Sequence, residues 1–302
     1  MTIFERVCGR IQAAVTRRNT PRLFDWLLLN FSYQGISDQV ARNYIRQHGN
    51  ASWAGIAEGL KATPPPCPLL RSHWDFDGCR YDKTSFTCSE PDRIDHCPLP
   101  LHQLRNGRLN QMAYSLYLFV RDIAERDLVG WIDQRLTPSP ATNGGKTAQE
   151  RLIGPLRTVY GISDKILTMT LSGLLLGASD GHPSWFAVGE DMIAIDSLVH
   201  NFLHRSGILE NCGAQHGYGV GCYAKGGCAD IIHAIAAQID ARAFNANYPI
   251  AVQHGRPLQI PARSAVPFSF DRCDNVLTRR AASMSRCPHD MARTSAAVSM
   301  YS

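Results

Sequence analysis

Apolar residues recur through this chain at three- and four-residue intervals and almost never alternate, a pattern that predicts helices. Arg22–Leu29 and Ile36–Gln47 carry that spacing. Asn106–Leu136 reads as one long helix with Leu109, Met112, Leu116, Phe119, Val120 and Ile123 on one side, and Ala229–Arg242 as a further amphipathic helix. Between them the pattern predicts a short helix ending at Leu156–Val159, a glycine turn, a second helix from near Asp164 through the apolar run Ile166–Leu176, and a third over Ser197–Arg205. Pro64-Pro65-Pro66 ends the early helical part and opens a Cys-rich loop region to about Pro100, while Thr137–Lys146 has the composition of a linker. The expected fold is all-α, in four segments: N-terminal helices over 1–61, a Cys-rich insertion over 62–105, a helical domain over 106–250 and a C-terminal tail over 251–302.

A chain of 302 residues with 44% hydrophobic residues buries a real core. No apolar run approaches the length of a membrane helix, and Met1–Arg18 lacks the apolar centre of a secretory leader, so no membrane association is expected. The net charge of +5 is unevenly spread. Seven arginines against three aspartates fall between Gly255 and Ser302, among prolines and small residues, which reads either as a basic arm lying along a polyanion or as a solvated tail.

The most specific stretch is Val159-Tyr-Gly-Ile-Ser-Asp-Lys165, followed by the apolar helix and then by Met192-Ile-Ala-Ile-Asp196. A glycine turn leading into a helix start presents backbone N–H groups to a phosphate and binds DNA without reading its sequence. This order of elements resembles the helix-hairpin-helix DNA glycosylase superfamily in its endonuclease III-like branch, over about Leu152–Leu209. The resemblance implies a two-lobed helical architecture, here with a Cys-rich insertion, acting on double-stranded DNA as a monomer in a bacterial cytoplasm. It places Lys165 on the family's lyase lysine and Asp196 on its catalytic aspartate, with Gly161 and Ser163 as the DNA-gripping turn. The family's second turn glycine is Ser163 here, and Gly177–Asp191 reads as an inserted loop carrying Trp185 and Phe186. Gln34, with Tyr33 second, sits where such enzymes fill the gap left by an extruded base. Tyr160, Trp185, Phe186, His200 and His204 are the expected walls of the base pocket. The implied activity is cleavage of the N-glycosidic bond of a flipped modified base, leaving an abasic site, with AP lyase activity if Lys165 attacks the sugar. An anti-phage branch removing hypermodified cytosine is one candidate.

Plainer roles stand beside these. Asp196 is also a good N-cap for the helix that follows, Lys165 a simple phosphate contact, and the Gln34 region an ordinary capping turn. A helix-hairpin-helix protein that binds DNA without catalysis is the alternative function, and a metalloprotein whose metal does the chemistry is another.

Of ten cysteines, Cys67, Cys79, Cys88 and Cys97 lie in the irregular segment with little apolar core of its own. They make a candidate tetrathiolate site for Zn²⁺ or an iron–sulfur cluster, although tight Cys-x-x-Cys knuckles are missing. His73, His96 and His102 are potential substitutes for one thiol. Cys212, Cys222 and Cys228 frame a glycine-rich loop with His216 and suit a pocket wall, a metal site or plain burial.

Overall fold

The computed structural model describes residues 3–32, 38–61, 67–82, 84–85, 87–90, 97, 99, 108–137, 147–178 and 181–238. They are mostly helical: thirteen α-helices and a two-stranded antiparallel hairpin. No described helix is long and apolar enough to cross a membrane. The candidate wedge residues Tyr33 and Gln34, His96, His102 and the basic tail lie outside the described residues.

Helices α1 (Ile3–Thr16) and α2 (Thr20–Phe31) meet at a tight corner, where the Asn19 side chain accepts from the Arg22 amide and Pro21 occupies the first turn. Leu23, Phe24, Leu27, Leu28 and Phe31 form the buried stripe of α2. Helix α3 (Asp38–His48) follows, and α4 (Trp53–Gly59) is capped by Ser52 and tied to α2 by the Trp53 amide donating to Asp25 at 2.7 Å. Burial holds the Asp25 carboxyl above its ordinary range, opposed by that same amide.

The segment expected as one helix over 106–136 is two, α6 (Arg108–Asp122) and α7 (Leu128–Leu136). The chain reverses through Glu125 and Arg126, both at positive φ, and α7 restarts on Asp127, whose carboxylate accepts from the Gly130 amide and pairs with Arg18. Helix α6 is buried nearly all round from Met112 to Val120 and forms the spine of the core. The presumed inserted loop also contains a helix, α10 (Pro183–Asp191), packed on α9 (Asp164–Gly177).

One continuous core runs from Ile11 to Met192, joining the helices on both sides of the expected 105/106 boundary. The Cys-rich segment, with α5 (His73–Phe76) and the hairpin β1 (Tyr81–Asp82) and β2 (Thr87–Cys88), packs on this core through Leu70, Phe76, Cys79 and Cys97. A second, much smaller cluster, made by Ile193, Ile195, Leu203, Leu209, Cys222, Cys228 and Ala236, serves α11 (Ser197–Arg205), α12 (Ile208–Asn211) and α13 (Cys228–Gln238).

Candidate functional site

Helix α8 (Ala148–Leu156), capped by Thr147, leads into the turn and then into α9. Gly161 takes φ +72°, a conformation that a side chain disfavours. Ser163 sits at φ −85° in extended backbone, so the missing second glycine removes nothing this turn needs, and its hydroxyl makes no capping bond. Arg157 fastens the two ends: Nε and Nη2 donate to Asp164 at 2.9 and 3.1 Å, and Nη1 donates to Glu150 at 2.6 Å. Val159 is buried beneath the turn and the Tyr160 amide donates to Ser115 Oγ at 3.0 Å, docking the turn on α6.

The chain leaves the large core at Met192, passes through buried Ile193 and Ile195, and starts α11 at Asp196. Asp196 Oδ1 accepts from the Val199 amide at 2.9 Å, so the carboxylate is the N-cap of α11. Its other oxygen, Oδ2, lies 3.8 Å from Lys165 Nζ in the first turn of α9, with both side chains 35% exposed. Two residues far apart in sequence therefore meet where two helix N-termini open to solvent.

Helix α11 carries His200 one turn beyond Asp196, and this imidazole is buried. Its Nδ1 lies 3.4 Å from Cys228 Sγ and 3.5 Å from Cys222 Sγ, and His216 Nε2 lies 3.3 Å from Cys228 Sγ. One donor atom from each of the four side chains falls within 4.8 Å of the others, so the group can hold a metal ion. Burial holds His200 below the ordinary imidazole value, with His216 and His204 acting in the same direction. Burial beside Cys222 pushes the Cys228 thiol up to about 12.

Cys67, Cys79, Cys88 and Cys97 line a single small cavity with Leu70, Phe76, Tyr81 and Leu99. Burial pushes the Cys97 thiol up to about 11, and its three cysteine neighbours add to the shift. His73 is not part of this lining: its Nε2 contacts Thr158 Oγ1 at 3.1 Å and its ring stands edge-on to Phe119.

The expected pocket residues are dispersed. Trp185 is completely buried in the large core, its indole N–H donating to Asp133 at 2.7 Å, so it fastens α10 to α7 and lines no open pocket. Phe186, Tyr160 and His204 are exposed, whereas His200 belongs to the thiol–imidazole cluster. Tyr218, which sequence reasoning did not single out, has its ring 5.8 Å from His200 and its phenol held above the ordinary value by burial and by Asp196. Only the dense glycine pattern around it marked the loop as unusual. No protein-family model, curated protein or solved structure matches this chain.

Proposed function

We propose that the protein is a DNA glycosylase of helix-hairpin-helix type that swings a modified base out of double-stranded DNA and cleaves its N-glycosidic bond. The observation that carries this reading is the meeting of Lys165 and Asp196 at 3.8 Å beside the Gly161 turn. Positive charge develops on the deoxyribose as the bond to the base lengthens, and a carboxylate fixed at a helix start is placed to offset it and to position the attacking water. The α9 N-terminus, with the Gly161–Ser163 turn, supplies amides for the phosphates flanking the extruded nucleotide. Extrusion costs a few kcal/mol, least for a damaged or bulky base. Lys165 offers the lyase branch: as a free amine it attacks the sugar's anomeric carbon as the base leaves, the ring C–O bond opens to give a Schiff base, and loss of the C2′ proton expels the 3′ phosphate by β-elimination, nicking the strand.

Cys67, Cys79, Cys88 and Cys97 line one small cavity, but the side chains whose donor atoms come close enough to hold one ion are, among the described residues, His200, His216, Cys222 and Cys228.

The test is a mass-spectrometric screen for bases released from genomic DNAs of varied modification, phage DNA with hypermodified cytosine included. Release by the wild-type protein and not by Asp196→Asn supports the proposal; no release from any substrate overturns it. Borohydride trapping on abasic DNA decides the lyase branch, which requires a covalent adduct that Lys165→Ala abolishes. The Asp196 capping bond favours one competitor, a non-catalytic DNA-binding protein, which would bind DNA equally well with Asn at this position.

A further inference from the structure

We infer that His200, His216, Cys222 and Cys228 bind one zinc ion, and that this ion holds the glycine-rich loop, with Tyr218, against the start of α11.

Zinc–sulfur and zinc–nitrogen bonds of about 2.3 and 2.0 Å set tetrahedral ligand atoms roughly 3.5 Å apart. The three nitrogen–sulfur separations are 3.3, 3.4 and 3.5 Å. His216 is oriented for ligation from behind: its Nδ1 donates to the Ala214 carbonyl at 2.6 Å, leaving the lone pair on Nε2, the atom facing Cys228. A backbone carbonyl orienting a ligand imidazole in this way is a recurrent companion of bound zinc. Gly221 lies against that imidazole, where a Cβ would come within 2.9 Å of His216 Cδ2, so the loop is shaped around the ligand.

The ligand set selects the metal. Two imidazoles and two thiolates suit tetrahedral zinc, and four protein ligands close the coordination sphere, so the ion is structural. An iron–sulfur centre with two His and two Cys ligands would divide the pairs between two irons; here His200 and His216 each approach Cys228, mixing the pairs around one point.

The module around this point also has only a small core of its own. Its buried cluster holds seven residues, two of them the cysteines themselves, and the segment 213–227 contains only one 3-10 turn, Val220–Tyr223. A core this small ordinarily needs a staple. Tyr223 makes the mechanical link: its hydroxyl accepts from the Ile195 amide at 2.8 Å, immediately before Asp196.

The experiment uses the full chain and needs no DNA. Metal analysis of the purified protein and of variants at each thiol pair separates the two candidate sites. Cys222→Ser with Cys228→Ser is expected to lose about one equivalent of zinc, and Cys79→Ser with Cys97→Ser to retain it. Cobalt substitution is expected to give the intense ligand-field bands of a tetrahedral site with two thiolates. His216→Ala should abolish them, and His216→Cys should restore them with stronger thiolate charge transfer, a rescue that an unfolded variant cannot mimic. Zinc that is indifferent to the Cys222 and Cys228 pair, or a cobalt spectrum unchanged by His216→Ala, overturns the inference, whatever the base-release assay shows.

Discussion

Replacing Asp196 by Asn and by Ala separates the two tasks of this carboxylate. Asn retains an oxygen for the Val199 amide, now held at 2.9 Å, and caps a helix about as well as Asp, so α11 should survive intact. The Lys165 ion pair is lost, but with both side chains 35% exposed it contributes about 0–1 kcal/mol. The expected fall in Tm for Asp196→Asn is therefore at most roughly 2–4 °C. Asp196→Ala also removes the cap, which adds about 1 kcal/mol of destabilisation. Chemistry orders the variants differently. Neither side chain can offset positive charge on the sugar, and removal of a preorganised electrostatic contact slows a reaction by about 10²–10³-fold, or roughly 3–4 kcal/mol. Both variants should thus lose base release alike, keep DNA binding, and differ from each other only in Tm. Single-turnover base release, fluorescence anisotropy on duplex DNA and thermal melts measure the three quantities. If the Asn variant releases base at the wild-type rate while the Ala variant is merely less stable, Asp196 is a helix cap and its proposed catalytic role fails.

Gly161→Ala places a Cβ where nothing lies within 4 Å, so any loss comes from φ +72° alone; about 1–2 kcal/mol of stability and weaker binding to DNA of any sequence are expected, read from denaturation curves and anisotropy. His73 has a folded-state pKa held below its ordinary 6.5 by burial, so its contribution to stability is complete above that value and declines as pH falls through it. Denaturant titrations between about pH 8 and 5 should show a slope of up to about 1.4 kcal/mol per pH unit that His73→Gln reduces; an equal slope in the variant would remove His73 as its source. Asp25, raised by burial, is charged at neutral pH at a cost to the fold, and Asn can still accept from the Trp53 amide. Asp25→Asn should therefore raise Tm at pH 7, with the gain shrinking as pH falls through the raised folded-state value, where Asp25 protonates in the fold, and vanishing below the ordinary 3.8, where the unfolded chain is protonated too; a lowered Tm would contradict this account.

Much of the helical framework was legible because amphipathic spacing is a local signal. Helices α2, α3 and α13 fall where the apolar pattern puts them, and the turn before α9 was marked by Gly161. The break between α6 and α7 was not legible, because it runs through Glu125 and Arg126 at positive φ, where no glycine announces it. Asp127 was the available sign, a good cap in mid-pattern, but its partner Arg18 is distant in sequence. Helix α10 had a signal in Pro183 at its first turn. In the sequence, Trp185 reads as a pocket wall because it falls in the inserted segment Gly177–Asp191. Its burial depends on Asp133, from another helix, to satisfy the indole N–H.

The thiol–imidazole cluster shows why sites are harder to read than helices. Three of its members, His216, Cys222 and Cys228, were visible together in the loop, but the fourth comes from α11, where His200 looked like a pocket wall. Its alignment follows from helix geometry, since Asp196 caps the helix and His200 lies four positions later, one turn along. The same helix start thus fixes the direction of the carboxylate and that of the buried imidazole. Tyr223 clamps Ile195 on one side of Asp196 and His200 joins the thiols on the other, so the position of Asp196 depends on the small module holding together. Lys165, by contrast, is placed by the large core through α9, whose buried face includes Leu167, Leu171 and Leu174. The 3.8 Å approach of Lys165 to Asp196 therefore joins two separately stabilised parts of the fold, and loosening the small module should disturb this pair before it disturbs α1–α10.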